Sequence, residues 1–270
     1  MLAASKSTFI NRDKPAVHAM RTWLDLVILL VQRDLRVRYR GSFLGYLWSM
    51  MNPLLYMVIL TFVFNHLMRF KVENYAVFIL SGILIWNLFL QSLMIGVNSI
   101  LANGALLRKV KVPATLFPAA SVCSVLVNFV LALGPYLLIA LFSGVKLTSS
   151  ILMLPVILLP YLLFIFGLVL LVSSLNVRFR DIGHVMEPLL TMTFYATPVL
   201  YPIDMLPDFY RMIISLNPMT HYVADLRQVL FEGHWPHFQQ IGLIYAMAAA
   251  SLALGAFVYR KSRDGFIYNL

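Results

Sequence analysis

Charge is scarce in this sequence. Asp, Glu, Lys and Arg make up 12% of the 270 residues while hydrophobic residues make up 61%, whereas a soluble globular chain carries roughly 25% charged residues. No charged side chain occurs from Gly41 to Met68, and none between Glu73 and Arg108. With a mean hydropathy of +0.83, this composition excludes an ordinary soluble enzyme. It implies one polytopic membrane domain. Cysteine is almost missing too. The lone Cys123 lies in an apolar segment, has no partner for an intrachain disulfide, and reads as a small buried hydrophobe. Residues 1–22 are polar with no apolar core, so no cleavable signal peptide is expected. Insertion then falls to the first spanning helix, with the amino terminus inside.

Several catalytic patterns are also absent. No GxxxxGK[ST] run occurs, so hydrolysis of ATP through a phosphate loop on this chain is not expected. No DxD pair occurs in a loop, which weakens a glycosyltransferase using a divalent metal, and no Ser/His/Asp grouping stands out. Catalytic residues are therefore none. His234 and His237 in EGHWPH, beside Glu232, read as polar loop residues, so no metal and no cofactor is assigned to the chain. Ion-driven transport usually needs charge near the bilayer midplane. Here only Glu187 falls within a span, near its inner start, where it reads as an interface carboxylate.

What the chain does have is a sharp boundary. Arg33, Arg36, Arg38 and Arg40 sit within eight residues, followed at once by the first uncharged apolar run. Arginine costs about 2.5–3.5 kcal/mol at a helix centre on insertion scales, so this switch marks a membrane surface, and it points inwards. Residues 1–17 read as a polar cytoplasmic tail. Residues 18–40 read as an amphipathic interface helix, with Leu24, Val27, Ile28, Val31 and Leu35 on one stripe and Arg33, Arg36 and Arg40 opposite. Residues 41–270 form the transmembrane domain.

Six spans are expected within it, all helical, at about 43–64, 75–98, 116–142, 151–176, 185–201 and 239–259. The fifth is short and interrupted by Pro188, Pro198 and Pro202. Between the fifth and sixth, two short apolar pieces, 209–216 and 222–231, are too short to span and read as re-entrant or gate helices on the outer side. With both termini inside, sixteen of the 21 Lys and Arg face the cytoplasm and five face outwards, while the 11 acids divide six and five. The inner face then carries the whole formal +10. Topology accounts for the basic balance, and no nucleic-acid role is left to explain.

The chain's aromatics include Tyr46, Trp48, Tyr56, Trp86, Phe89, Phe194, Tyr195 and Tyr201 in or beside the spans. Aromatic faces can contact sugar rings, although packing and interface belts use them as well. Two inner connections, 104–113 and 176–184, carry Arg108, Lys109, Lys111, Arg178, Arg180 and Asp181, and both suit docking to a cytoplasmic partner.

Five stretches in order, RDLRVRYRGSFLGYLWSMMNPLL, NGALLRKVKVPATLFP, NVRFRDIGH, FYATPVLYP and LNPMTHYVADLRQVLF, resemble the membrane subunits of ABC-2 polysaccharide exporters. The likeness is strongest to permeases for lipid-linked O-antigen, with teichoic-acid and capsule exporters as neighbours. It implies a homodimer in the bacterial inner membrane, paired with a dimer of separate cytoplasmic ATPase subunits that hold the ATP and Mg. It implies that the two inner loops and the amphipathic helix face that ATPase, and that a glycan on an undecaprenyl-diphosphate carrier passes a channel partly lined by the aromatics. Arg33, Arg36, Arg38 and Arg40 become contacts for the lipid diphosphate on the inner side. The rival readings are a teichoic-acid, capsule or drug exporter of the same type, a membrane-embedded glycosyl- or acyltransferase, and a membrane scaffold.

Overall fold

Every regular element among the described residues is helical, as the apolar spans require where no water can satisfy an open sheet edge. The computed structural model describes residues 15–43, 45, 47–63, 74–110, 112–145 and 148–266, of which 15–22, 49–50, 52–53 and 60–61 are described by backbone alone. In chain order the helices are α1 (Pro15–Tyr39), α2 (Leu47–Phe62), α3 (Tyr75–Gly96), α4 (Ser99–Ala102), α5 (Gly104–Lys109), α6 (Leu116–Phe142), α7 (Leu154–Arg178), α8 (Ile182–Tyr195), α9 (Asp208–Ser215), α10 (Pro218–Arg227) and α11 (Phe238–Ser262).

Among the described residues, four segments are long and apolar enough to cross a membrane: Tyr75–Gly96, Leu116–Phe142, Ser149–Arg178 and Phe238–Gly265. The other two expected spans are shorter. α2 has 16 residues and α8 has 14, so at about 1.5 Å per residue they rise roughly 24 and 21 Å, against about 30 Å of hydrocarbon. The segment after α2, residues 64–73, lies outside the described residues, as do most of the polar tail and Lys146.

α3 forms the middle of the bundle. Sixteen of its 22 residues are buried, and it packs against α2, α6, α7, α8 and α10. α7 and α11 pair most closely. Lipid is as apolar as leucine, so such a pairing must come from close packing and polar contacts rather than from expulsion of water. Gly167 of α7 lies against Ser251 and Gly255 of α11, where a Cβ at either glycine would run into the other helix's backbone. The Ser251 hydroxyl donates to the Phe164 carbonyl at 2.8 Å across the same seam. Ser251 and Gly255 form a small-xxx-small spacing.

α1 lies along the first half of α6. Val27 packs with Leu116 and Ala119, and farther along the Tyr39 hydroxyl donates to Asn128 Oδ1 at 2.9 Å. The centre of the predicted apolar stripe is therefore covered, Val27 and Leu35 being buried, while Leu24 and Ile28 stay about half exposed.

Candidate functional site

At one end of the bundle, the two basic connections come together. Asn176, buried near the end of α7, donates from Nδ2 to the Val97 carbonyl and to Asn98 Oδ1, both at 3.0 Å, and its Oδ1 accepts from the Gly183 amide at 3.0 Å. One side chain thus ties the end of α3 to the turn into α8. Ile100, Ala114, Val177 and Phe266 pack beneath it as a small apolar cluster, joining the carboxyl-terminal turn to the same base. Above this base Arg108, Lys109, Arg178, Arg180 and Asp181 are all exposed. Lys111 lies outside the described residues. No spacing rule marks Asn176 as the tie, since Val97 and Asn98 sit 79 and 78 residues away in sequence.

The four arginines of α1 do not share one setting. Arg33 pairs with Asp34 at 2.8 Å and donates to Asn103 Oδ1 at 2.9 Å, so it fastens α1 to the connection between α4 and α5. Arg36 is exposed on α1 and Arg40 in the turn that follows it. Arg38 has no ion-pair or hydrogen-bond partner among the described residues and lines two cavities. One, of about 560 Å³, is shared with Arg33, Asn98 and Asn103 near the inner connections. The other, of about 450 Å³, lies between α1, α2, α3 and α6.

The aromatics divide as well. Trp86 and Phe89 are buried in the bundle, with Trp86 5.4 Å from Phe89 and 5.2 Å from Phe194 between ring centroids. Trp86 also lines a cavity of about 240 Å³ with Tyr56, Phe194 and Tyr195. Trp48, Tyr56 and Tyr195 are exposed, Phe194 and Tyr201 are half-buried, and Tyr46 lies outside the described residues.

At the other end of α8, the segment that follows the helix is closed off by side chains. A helix that stops near apolar surroundings leaves carbonyls without donors. Here Asn217 Nδ2 donates to the Ala196 carbonyl at 3.2 Å and to Thr197 Oγ1 at 2.9 Å. Arg227 donates to the Pro198 carbonyl at 2.9 Å and the Val199 carbonyl at 2.8 Å. Tyr75 donates to the Leu200 carbonyl at 2.7 Å. The Asn217-Pro218 pair also starts α10, Asn217 Oδ1 accepting from the Met219 amide at 3.0 Å with proline in the first turn.

Arg227 is 6% exposed, with its guanidinium 3.8 Å from the centre of the Phe78 ring. Burial lowers its pKa to about 10, Glu232, Tyr136 and Tyr75 opposing that fall, and it stays cationic at neutral pH. α9 has no buried residue whereas α10 is buried along most of its length. His237 caps α11 through a reciprocal pair with Gln240, its amide donating to Gln240 Oε1 at 2.8 Å.

The family model described as ABC-2 type transporter matches residues 25–231. The O-antigen export system permease protein RfbA of Myxococcus xanthus is 34% identical over 256 residues, covering 94% of this chain and 98% of that protein. Its namesake in Klebsiella pneumoniae is 30% identical over 244 residues, covering 90% and 93%. The polysialic acid transport protein KpsM of Escherichia coli is 24% identical over 250 residues, covering 88% and 93%.

Proposed function

The chain belongs to the ABC-2 type transporter family, and on that premise we propose that it is the permease of a polysaccharide exporter powered by a separate ATPase. The observation that carries this is the end-to-end likeness to an O-antigen export permease, 34% identity across 94% of the chain. The cargo is a glycan on a polyprenyl-diphosphate carrier, and two copies of the chain form the path in a bacterial inner membrane. In this reading α2 and α8 complete six spans, both termini are cytoplasmic, and α9 and α10 gate the outer side. ATP and Mg bind the partner subunit.

The geometry supports a division of labour. The base held by Asn176 gives the exposed Arg108, Lys109, Arg178 and Arg180 a firm mount, so a push from a cytoplasmic partner reaches α3, α7 and α8 together. The exposed arginines at the end of α1 offer a path from the inner leaflet to the cavities that Arg38 lines.

The test is co-purification. The chain should bring down a P-loop protein, and ATP hydrolysis should appear only in their complex. Charge reversal at Arg108, Lys109, Arg178 and Arg180 together should cut the partner recovered at least about fivefold, a loss of roughly 1 kcal/mol, with the chain still inserted. Hydrolysis by the chain alone would end this reading.

A further inference from the structure

Helices α3 and α6 contain three side-chain amides between them, Asn87, Gln91 and Asn128, and all three line the same cavity of about 450 Å³. Asn87 and Gln91 lie four residues apart, on one face of α3. Neither makes a side-chain hydrogen bond among the described residues. Asn128 is 7% exposed and uses Oδ1 to accept from Tyr39, which leaves its amide hydrogens without a described partner. Amide groups left unpaired at the depth of a spanning helix are costly, and they persist where the helix lines a wet or ligand-filled space. Convergence of all three on one cavity is what such a space requires.

The rest of the lining narrows the occupant. Among the described residues Arg38 is the cation on the cavity wall and no carboxylate lines it, so an anionic ligand is favoured and a cationic one is not. The planar guanidinium fork matches a pair of phosphate oxygens. Amides both donate and accept, as sugar hydroxyls do. Trp48 and Tyr56 of α2 supply aromatic faces on the same wall. The volume falls in the range of small-molecule sites, about 300–1,000 Å³.

We infer that this cavity between α1, α2, α3 and α6 binds the carrier-end sugar of a lipid-linked glycan. Arg38 takes the phosphate, Asn87, Gln91 and Asn128 take ring hydroxyls, and Trp48 and Tyr56 cover the ring. The inference rests on the reading of the chain as a polysaccharide exporter permease and adds to it a site contained within one protomer. It assigns to the protein recognition of the glycan's first unit, where a channel alone would accept any stretch of polymer.

The test uses the full chain in nanodiscs and three probes: a farnesyl-diphosphate-linked hexose, farnesyl diphosphate, and the free hexose. The sugar-linked probe should bind about tenfold more tightly than farnesyl diphosphate, as expected from one or two added hydrogen bonds, and the free hexose more weakly than either. Asn87→Leu with Gln91→Leu should remove that tenfold advantage and leave farnesyl diphosphate binding unchanged. Arg38→Lys should weaken both diphosphate probes. Gln91→Met, close to glutamine in size, gives a second variant should the double one fold poorly, and it should lose part of the same advantage. Equal binding of the sugar-linked and sugar-free probes by the wild type would overturn the inference. So would unchanged affinity in the folded amide variants, or free hexose binding as well as the linked sugar, which would make this a site for polymer in transit. Glycan export by cells carrying the wild-type chain tests the broader reading separately, so an unselective cavity with export intact would sink the site alone.

Discussion

Arg227 is a charged side chain buried in the bundle, and its surroundings explain how it is tolerated. Two carbonyls accept from it, the Phe78 ring lies against it, and Gly82 leaves it room. Hydrogen bonds to a charged group contribute about 1.5–3 kcal/mol each, and a desolvated cation–π contact about 2. Together these offset a cost of several kcal/mol for an arginine at that depth. Its neighbour Asp225 lacks such support. It is 2% exposed, and Oδ2 has no hydrogen-bond partner among the described residues. Burial raises its pKa from 3.8 to about 6, with His221 acting in the opposite direction. A raised carboxyl means the folded chain binds the proton more tightly than the unfolded one. Stability is then highest below about pH 4 and falls as pH rises through about 6. Asp225→Asn keeps the shape without the charge. It should stabilise the chain in detergent by up to about 3 kcal/mol in the linkage limit, read as a rise in thermal midpoint that is larger at pH 7.5 than at pH 5. A gain equal at both pH values would mean that the carboxylate is not the cause.

Among the elements, α8 shows best how sequence and structure divide the work. Pro188, Pro198 and Pro202 mark it as a short, interrupted segment, and FYATPVLYP shows where it stops. Which groups would meet the freed carbonyls was not legible, because Asn217, Arg227 and Tyr75 lie up to 125 residues away. The seam between α7 and α11 has the same character. The Ser251-to-Gly255 spacing is visible in the sequence, but its partner Gly167 is not. The amphipathic stripe of α1 was legible in outline: Val27 packs on α6 and Leu35 is buried, while Leu24 and Ile28 remain about half exposed. Topology can be checked element by element. In a Cys123→Ser background, single cysteines at Thr148 and Asp208 should react with a membrane-impermeant thiol reagent in intact cells. Cysteines at Lys109, Phe179 and Arg260 should react only after the cells are opened. Equal outside labelling of Phe179 and Asp208 would show that α8 with its capped end does not cross the bilayer.

At the scale of the whole molecule, membrane class, helical fold and family were readable from charge placement and a few stretches. An apolar run reports its solvent directly, and the transporter resemblance extends over nearly the entire chain. The candidate sites were readable only in part. The sequence singled out Arg38 by its angle on α1, away from Arg33, Arg36 and Arg40. The cavity beside it depends on Asn87, Gln91 and Asn128 meeting across two spans, and no local pattern foretells such a meeting. The same holds for Asn176, which joins the two inner connections. The proposed function has the chain move a polymer outwards, with the cavities and basic connections at one end and the capped segment after α8 at the other. Its most direct test is to delete this chain from its host and follow lipid-linked glycan in the two leaflets of the inner membrane. The account predicts that surface glycan disappears while carrier-linked glycan accumulates on the cytoplasmic face, and that the wild-type chain restores export. Normal surface glycan in the deletion strain, with no cytoplasmic accumulation, would contradict it.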